Sequence, residues 1–237
     1  MAYVFAAPGQ PVVPVVGSTD LYPVHRVYCV GRNYAEHARE MGHSEREAPF
    51  FFAKPADAVL AVAEGTVGRL AYPDRTAALH HEVELVVALG GAARDIGAAQ
   101  SAATIWGYAV GVDLTRRDRQ AEMKKQGRPW EIGKSFDRSA PLSPIRPLRL
   151  SGLVERGRIW LDVNGVRRQE DDVGAMIWSV NEIIAHLSGY FDLVPGDLIY
   201  TGTPAGVGAL EAGDRLRCGV DGVGTLALEI GPADAPR

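Results

Sequence analysis

The stretch Leu79-His-His-Glu-Val-Glu-Leu-Val-Val87 decides how this chain is read. Its valines and leucines mark a buried strand. Residues two apart in a strand point to one face, so Glu82 and Glu84 stand side by side. Two like charges in a partly buried place are costly unless protons or a cation neutralise them. A divalent metal is the economical explanation, and oxygen ligands favour Mg²⁺ or Mn²⁺ over zinc. A third carboxylate, Asp113, closes the apolar run Trp106-Gly-Tyr-Ala-Val-Gly-Val112 and is placed like a further ligand. The competing reading has Glu82 and Glu84 in salt bridges and Asp113 capping the next helix. A zinc motif of the form His-Glu-x-x-His is excluded, because Leu85 stands where its second histidine would be.

The chain around this stretch has 237 residues, enough for one larger domain or two small ones with a sizeable core. A net charge of −4 argues against a general nucleic-acid binder. No apolar run approaches the length of a membrane helix, and no basic segment followed by a long apolar run marks a signal peptide. Cys29 and Cys218 lie far apart and outside any metal-ligand spacing, which fits a reducing cytoplasm. The glycine-rich segment 202–208 lacks the Lys-Ser/Thr ending of a Walker A loop.

Outward from the two glutamates, strands are expected at 25–30, 50–52, 59–63, 80–89 and 105–114, and again at 158–164, 197–201, 214–219 and 225–230. Helices are expected at 33–41, 98–103, 115–125 and 176–187. Asn33 has the capping-box partner Glu36 three residues on. The 176–187 segment has apolar residues at helical period. No strict β-α-β alternation appears, so the fold class is α+β and β-rich. Residues 1–24 read as an N-terminal arm and residues 25–237 as one domain.

Other residues carry possible chemistry. His37 and Glu40 share one face of the expected helix, where a carboxylate would orient the imidazole and raise its basicity. The plain alternative is a surface pair. Arg32 lies in the preceding Gly31-Arg-Asn-Tyr34 turn, a kind of segment that often presents ligand groups. Lys134, in Trp130-Glu-Ile-Gly-Lys-Ser-Phe136, is flanked by large apolar residues and suits an oxyanion or carboxylate. Arg116, Arg117 and Gln120 follow Asp113 closely enough to approach the same ion.

Several segments occur together in order over roughly residues 25–230. They are Gly31-Arg-Asn-Tyr-Ala-Glu-His-Ala-Arg-Glu40, Phe52-Ala-Lys-Pro55, His81-Glu-Val-Glu84 and Gly111-Val-Asp-Leu-Thr-Arg-Arg-Asp-Arg-Gln120. Gly133-Lys-Ser-Phe-Asp137, Val163-Asn-Gly165 and Thr201-Gly-Thr-Pro-Ala-Gly-Val-Gly208 complete the set. In this order they resemble the fumarylacetoacetate hydrolase family, and within it the short acylpyruvate hydrolases.

The resemblance implies a mixed β-roll or barrel-like fold with a few short helices, in a protein that dimerises. It implies a Mg²⁺ or Mn²⁺ ion held by Glu82, Glu84 and Asp113. His37 and Glu40 match the family's water-activating dyad, Lys134 its active-site lysine, and Thr203 a position that contacts the substrate carboxylate. A further aspartate ligand of the larger family members has no counterpart here, so water or substrate oxygens would complete the coordination.

The implied reaction is hydrolysis of the C–C bond of a 2,4-dioxo acid, with fumarylpyruvate giving fumarate and pyruvate. The far carboxylate of that substrate needs a cation; Arg116 is the first expectation and Arg32 the second. Rival readings are a general acylpyruvase, an oxaloacetate decarboxylase, a ring-fission hydrolase or isomerase, and a non-catalytic protein with a structural metal.

Overall fold

In a computed structural model of the protein, residues 3–36 and 47–233 are described. The chain is mostly β, with mixed sheets, one of them curled as a half-barrel, and a few short helices. Its main sheet runs in the order Phe50–Lys54, Val27–Gly31, Leu198–Tyr200, Val83–Leu89, Ile105–Val112, Ala140–Leu142, Val59–Ala61. Most neighbours are antiparallel, but Val27–Gly31 runs parallel to Leu198–Tyr200 and Ala140–Leu142 parallel to Val59–Ala61. A five-stranded sheet is built from Val166–Asp172, Arg158–Val163, Arg215–Val220, Gly224–Gly231 and Gly68–Ala71, in that order.

Both faces of the main sheet are covered. Every residue of Val83–Leu89 is buried, which explains why all of them but Glu84 are apolar. Val83, Leu85, Val87 and Leu89 face the larger core, with Ile159, Leu161 and the helix residues Ile183, Ile184 and Leu187. Val86 and Ala88 face a smaller core with Cys29, Ala140, Leu142 and Tyr200. By the same period of two, Glu84 lies on the face of Val86 and Ala88.

The N-terminal residues contribute to that smaller core. Val12–Pro14 and Leu21–Pro23 pair as a hairpin, and Val13, Val15, Tyr22 and Val24 are buried in it. The Tyr22 hydroxyl donates to the carbonyls of Leu89 (2.7 Å) and Asp197 (3.1 Å).

Three local expectations are refined. The 80–89 strand is two strands, Leu79–His81 and Val83–Leu89, in different sheets, with Glu82 at the break. The helix expected from residue 176 begins at Val180, because Ser179 and Glu182 form a reciprocal capping box that sets its start. The side chain of Asn33 is fully buried and reaches across the fold. Its Oδ1 accepts from the Trp178 N–H at 2.7 Å, and its Nδ2 donates to the Trp178 and Thr201 carbonyls. Most of the helix expected after it, with His37 and Glu40, lies outside the described residues. Among the described residues no helix is long and apolar enough to cross a membrane.

Candidate metal centre and active site

Strand register assembles the carboxylates. Val83 pairs with Val112 and Glu84 with Gly111, so the next position sets Glu82 opposite Asp113. The Asp113 N–H donates to the Glu82 carbonyl at 2.8 Å. Ligand-capable atoms of Glu82, Glu84 and Asp113 lie within 4.8 Å of one another, and all three residues are buried.

Of the described residues, three cations stand among them. Lys134, at the end of the short helix Glu131–Lys134, donates from Nζ to Glu82 Oε2 (2.8 Å) and Asp113 Oδ2 (2.6 Å). Gly133 permits that helix to lie close, since a Cβ there would come 2.9 Å from the backbone nitrogen of Gln120. Arg117, which begins the helix Arg117–Lys125, pairs with Glu82 Oε1 and donates to Gln120 Oε1 at 2.5 Å. Lys54 Nζ lies 2.9 Å from Asp113 Oδ1, with its side chain fully buried. Burial works against the Lys134 ammonium, but Asp113 and Glu82 outweigh it and hold its pKa above the ordinary lysine value.

Glu84 differs from its neighbours. Among the described residues no lysine or arginine pairs with it, and its Oε2 accepts from the Gly202 N–H at 2.7 Å. Burial pushes its pKa well above the usual carboxylate range, and the Asp113 and Glu82 charges push it further. The salt-bridge reading of the sequence thus holds for Glu82 and fails for Glu84. A buried carboxylate without its own cation, among three hard oxygen donors, fits a divalent ion such as Mg²⁺ or Mn²⁺.

A cavity of about 210 Å³ opens onto this cluster. Glu82, Glu84, Lys134, Thr203, Arg117 and Gln120 form its polar floor and wall. Phe50, Phe52 and Trp130 form an aromatic side, with Trp130 edge-on to Phe50 at 5.4 Å between ring centres. Arg32 lies on the same wall, in left-handed backbone (φ 54°), with its guanidinium 4.8 Å from the centre of the Phe50 ring. Lys124, one helical turn beyond Gln120, also lines it.

Arg116 does not line this cavity. It faces a second one with Tyr72, Asp74, Phe136 and Asp137, and its guanidinium packs 4.4 Å from the centre of the Phe136 ring. The cause is local: Thr115–Arg116 is a strand paired with Leu79–His81, so consecutive residues diverge and Arg117 alone turns toward Glu82.

Two residues with no role assigned from the sequence belong to the site. Lys54, in the Phe52-Ala-Lys-Pro55 segment, braces Asp113 and donates to the carbonyls of Leu114 (3.3 Å) and Lys134. Gln169 lies behind Thr203, to which its Nε2 donates at 2.8 Å. A lysine between the run Phe50-Phe-Phe-Ala53 and a proline was the available signal for the first. The second sits in a strand whose other side chains, Val166 apart, are charged, and nothing local marks it.

A buried three-carboxylate cluster at the floor of a small cavity, ringed by lysine and arginine, defines a metal-dependent enzyme acting on an anionic small molecule. Residues 26–230 match the model of the fumarylacetoacetate (FAA) hydrolase C-terminal family, and the chain belongs to that family. It is 45% identical over 188 residues to a fumarylpyruvate hydrolase of Ralstonia, covering 79% of this chain and 95% of the relative. It is 43% identical to the oxaloacetate tautomerase YcgM of Escherichia coli, covering 85% of this chain and 90% of the relative. Among solved structures, a fumarylpyruvate hydrolase from Pseudomonas aeruginosa in complex with Mn²⁺ and pyruvate superposes with a TM-score of 0.96. That protein is 51% identical, and the match covers 98% of this chain and 100% of the other.

Proposed function

We propose that this chain is a metal-dependent hydrolase of a 2,4-dioxo acid, with fumarylpyruvate as substrate and fumarate and pyruvate as products. The observation that carries this reading is that Glu82, Glu84, Lys134 and Thr203 line one cavity, with Asp113 buried against Glu82, Glu84 and Lys134. The near full-length likeness to a fumarylpyruvate hydrolase holding Mn²⁺ and pyruvate supports it.

Glu82, Glu84 and Asp113 would hold Mg²⁺ or Mn²⁺. Such an ion, when bound, stabilises negative charge on the oxygens of the pyruvate half. The protein supplies the rest. Thr203 meets the substrate carboxylate. Arg117 orients Glu82 and Gln120. His37, oriented by Glu40, is our candidate for the base that takes a proton from water as its oxygen attacks the C4 carbonyl; that assignment rests on sequence. Lys134 donates to the oxygen on which charge develops. The C3–C4 bond then breaks, its electron pair goes to C3, and a proton added there gives pyruvate. Arg32, on the aromatic wall, replaces Arg116 as the partner of the distal carboxylate. We further propose a cytoplasmic homodimer, with residues 25–237 as the catalytic domain and residues 1–24 as an arm on it. No nucleic-acid or membrane partner enters this reading.

The oxaloacetate tautomerase relatives favour a second reading, in which the same site acts on oxaloacetate. The two separate in one assay series. Loss of the near-ultraviolet absorbance of fumarylpyruvate, abolished by EDTA and restored by Mn²⁺, supports hydrolysis. Acetylpyruvate, with no distal carboxylate, tests a general acylpyruvase. Fast keto–enol exchange or decarboxylation of oxaloacetate without fumarylpyruvate cleavage replaces our reading by the second. His37→Ala is expected to lose hydrolysis while still binding Mn²⁺; near-normal turnover would remove His37 from its role.

A further inference from the structure

Gln169 is the one buried residue of the strand Val166–Asp172. An amide in that place must be bonded on both ends. The strand pairs with Arg158–Val163, and its register shifts between Leu161 and Asp162, so Arg168 is the extra residue of a bulge. Such a bulge re-aims the side chains beside it. Here Gln169 points inward opposite Leu161, away from the polar face of its own strand.

All four bonding directions of the amide are occupied. Oε1 accepts from the Val83 N–H at 3.1 Å and lies 2.9 Å from His81 Nδ1. Nε2 donates to the Pro204 carbonyl and to Thr203 Oγ1, each at 2.8 Å. A backbone N–H can only donate and a backbone carbonyl can only accept. Val83 and Pro204 therefore fix which end of the amide is oxygen and which is nitrogen. It follows that Thr203 Oγ1 accepts from Gln169. A hydroxyl that accepts from one neighbour keeps its own proton for another. Among the described residues nothing takes that proton, and Thr203 lines the cavity beside Glu82 and Glu84.

We infer that Gln169 is a positioning residue: it holds the Thr203 hydroxyl as a hydrogen-bond donor into the cavity, toward an anionic oxygen of the bound ligand. This rests on the reading that Thr203 meets the substrate carboxylate. Gln169 touches no ligand itself. It also ties the strand that carries Glu84 to the turn that carries Thr203, through Val83 and Pro204.

The variant Gln169→Glu has nearly the same shape and reverses the bond. A carboxylate there accepts the Thr203 proton, so the hydroxyl turns away from the cavity. Gln169→Met removes the bond without reversing it, leaving the hydroxyl free to rotate. The measurement is calorimetric binding of pyruvate to the Mn²⁺-loaded protein, alongside melting temperature and kcat and KM for fumarylpyruvate.

The expected result is a loss of pyruvate affinity of about tenfold or more in Gln169→Glu and a smaller loss in Gln169→Met. Mn²⁺ affinity stays near wild type, and the rise falls on KM more than on kcat. The double variant Gln169→Glu/Thr203→Val should bind no more weakly than Gln169→Glu alone, as coupled residues do. Equal losses in Gln169→Glu and Gln169→Met, tracking the loss of melting temperature, would make Gln169 merely structural and overturn the inference. If neither variant folds, Thr203→Ser and Thr203→Val still test it: the serine retains pyruvate binding and the valine loses it. A valine variant that binds like wild type overturns it. Because pyruvate binding is read directly, failure of fumarylpyruvate cleavage would sink the functional reading and leave this test standing.

Discussion

Lys54 Nζ lies 2.9 Å from Asp113 Oδ1, and neither side chain is more than 1% exposed. The two come from the second strand of an antiparallel pair, Phe50–Lys54 on Val27–Gly31, and from the end of the strand Ile105–Val112. The same ammonium serves the carbonyls of Leu114 and Lys134, so one side chain ties the end of the strand that leads to Asp113 to the helix end that carries Lys134. Removing one member of a buried ion pair costs about 3–5 kcal/mol, because the other charge is left uncompensated. Lys54→Met should lower stability to urea by that order. Asp113 then depends more on the ion, so saturating Mn²⁺ should raise the melting temperature by more in Lys54→Met than in wild type. Equal shifts would show that Lys54 does not balance Asp113.

Glu84 makes metal stabilisation depend on pH. Its carboxyl lies well above the usual range, chiefly through burial and then through Asp113 and Glu82. The metal-free folded state therefore holds a proton that the unfolded chain releases near its ordinary carboxylate pKa. The stability this proton contributes is fully present below that value and is lost as pH rises toward the folded pKa. A divalent ion takes the place of the proton. The melting-temperature increase produced by Mn²⁺ is expected to grow from pH 5.5 to pH 8, and Glu84→Gln should flatten that growth. An increase independent of pH in wild type would contradict it.

Arg32 and Arg116 face different cavities. For a substrate with a distal carboxylate, Arg32→Ala is expected to raise KM by about 10- to 100-fold, the scale of a lost hydrogen bond to a charged group. For acetylpyruvate the same variant should be near wild type. Arg116→Ala should leave both substrates within about twofold, the scale expected of a residue without ligand contact. Steady-state kinetics on the two substrates decides between them, and the opposite pattern would return the role to Arg116.

Gly202 is the position at which the backbone itself reaches the carboxylate cluster. Its φ is +98°, and a Cβ there would stand 2.7 Å from the Cβ of Asn33, which is locked by Trp178 and Thr201. Gly202→Ala should cost about 1–3 kcal/mol from backbone strain alone, with the contact adding to it. It should also weaken Mn²⁺ binding, since the N–H that meets Glu84 at 2.7 Å would move. Urea unfolding and a metal titration together check this; unchanged metal affinity would show that the N–H does not hold Glu84.

Much of the centre was legible in one dimension. The period of a strand puts Glu82 and Glu84 on one face, and an acid ending an apolar run points to Asp113. Both arise from local geometry, which repeats with the chain. Lys134 stood out because a lysine among large apolar residues must find a counter-charge. Arg116 faces another cavity than Arg117 because sequence neighbours need not share a face: Arg116 ends a two-residue strand and Arg117 begins a helix that turns it toward Glu82.

The β-rich class, the carboxylates that can gather, and the family are legible along the chain, because they follow from periodicity, residue chemistry and ordered motifs. The three-dimensional arrangement alone shows that Glu82 is salt-bridged while, among the described residues, Glu84 pairs with no lysine or arginine, that Lys54 and Gln169 bond to Asp113 and Thr203, and that Arg32 rather than Arg116 lines the cavity. Those facts depend on register between distant strands, on a bulge and on a left-handed turn. Each of these moves a side chain by ångströms or turns it to another face. Ion pairs and hydrogen bonds are made or lost over such distances, and local sequence does not encode them.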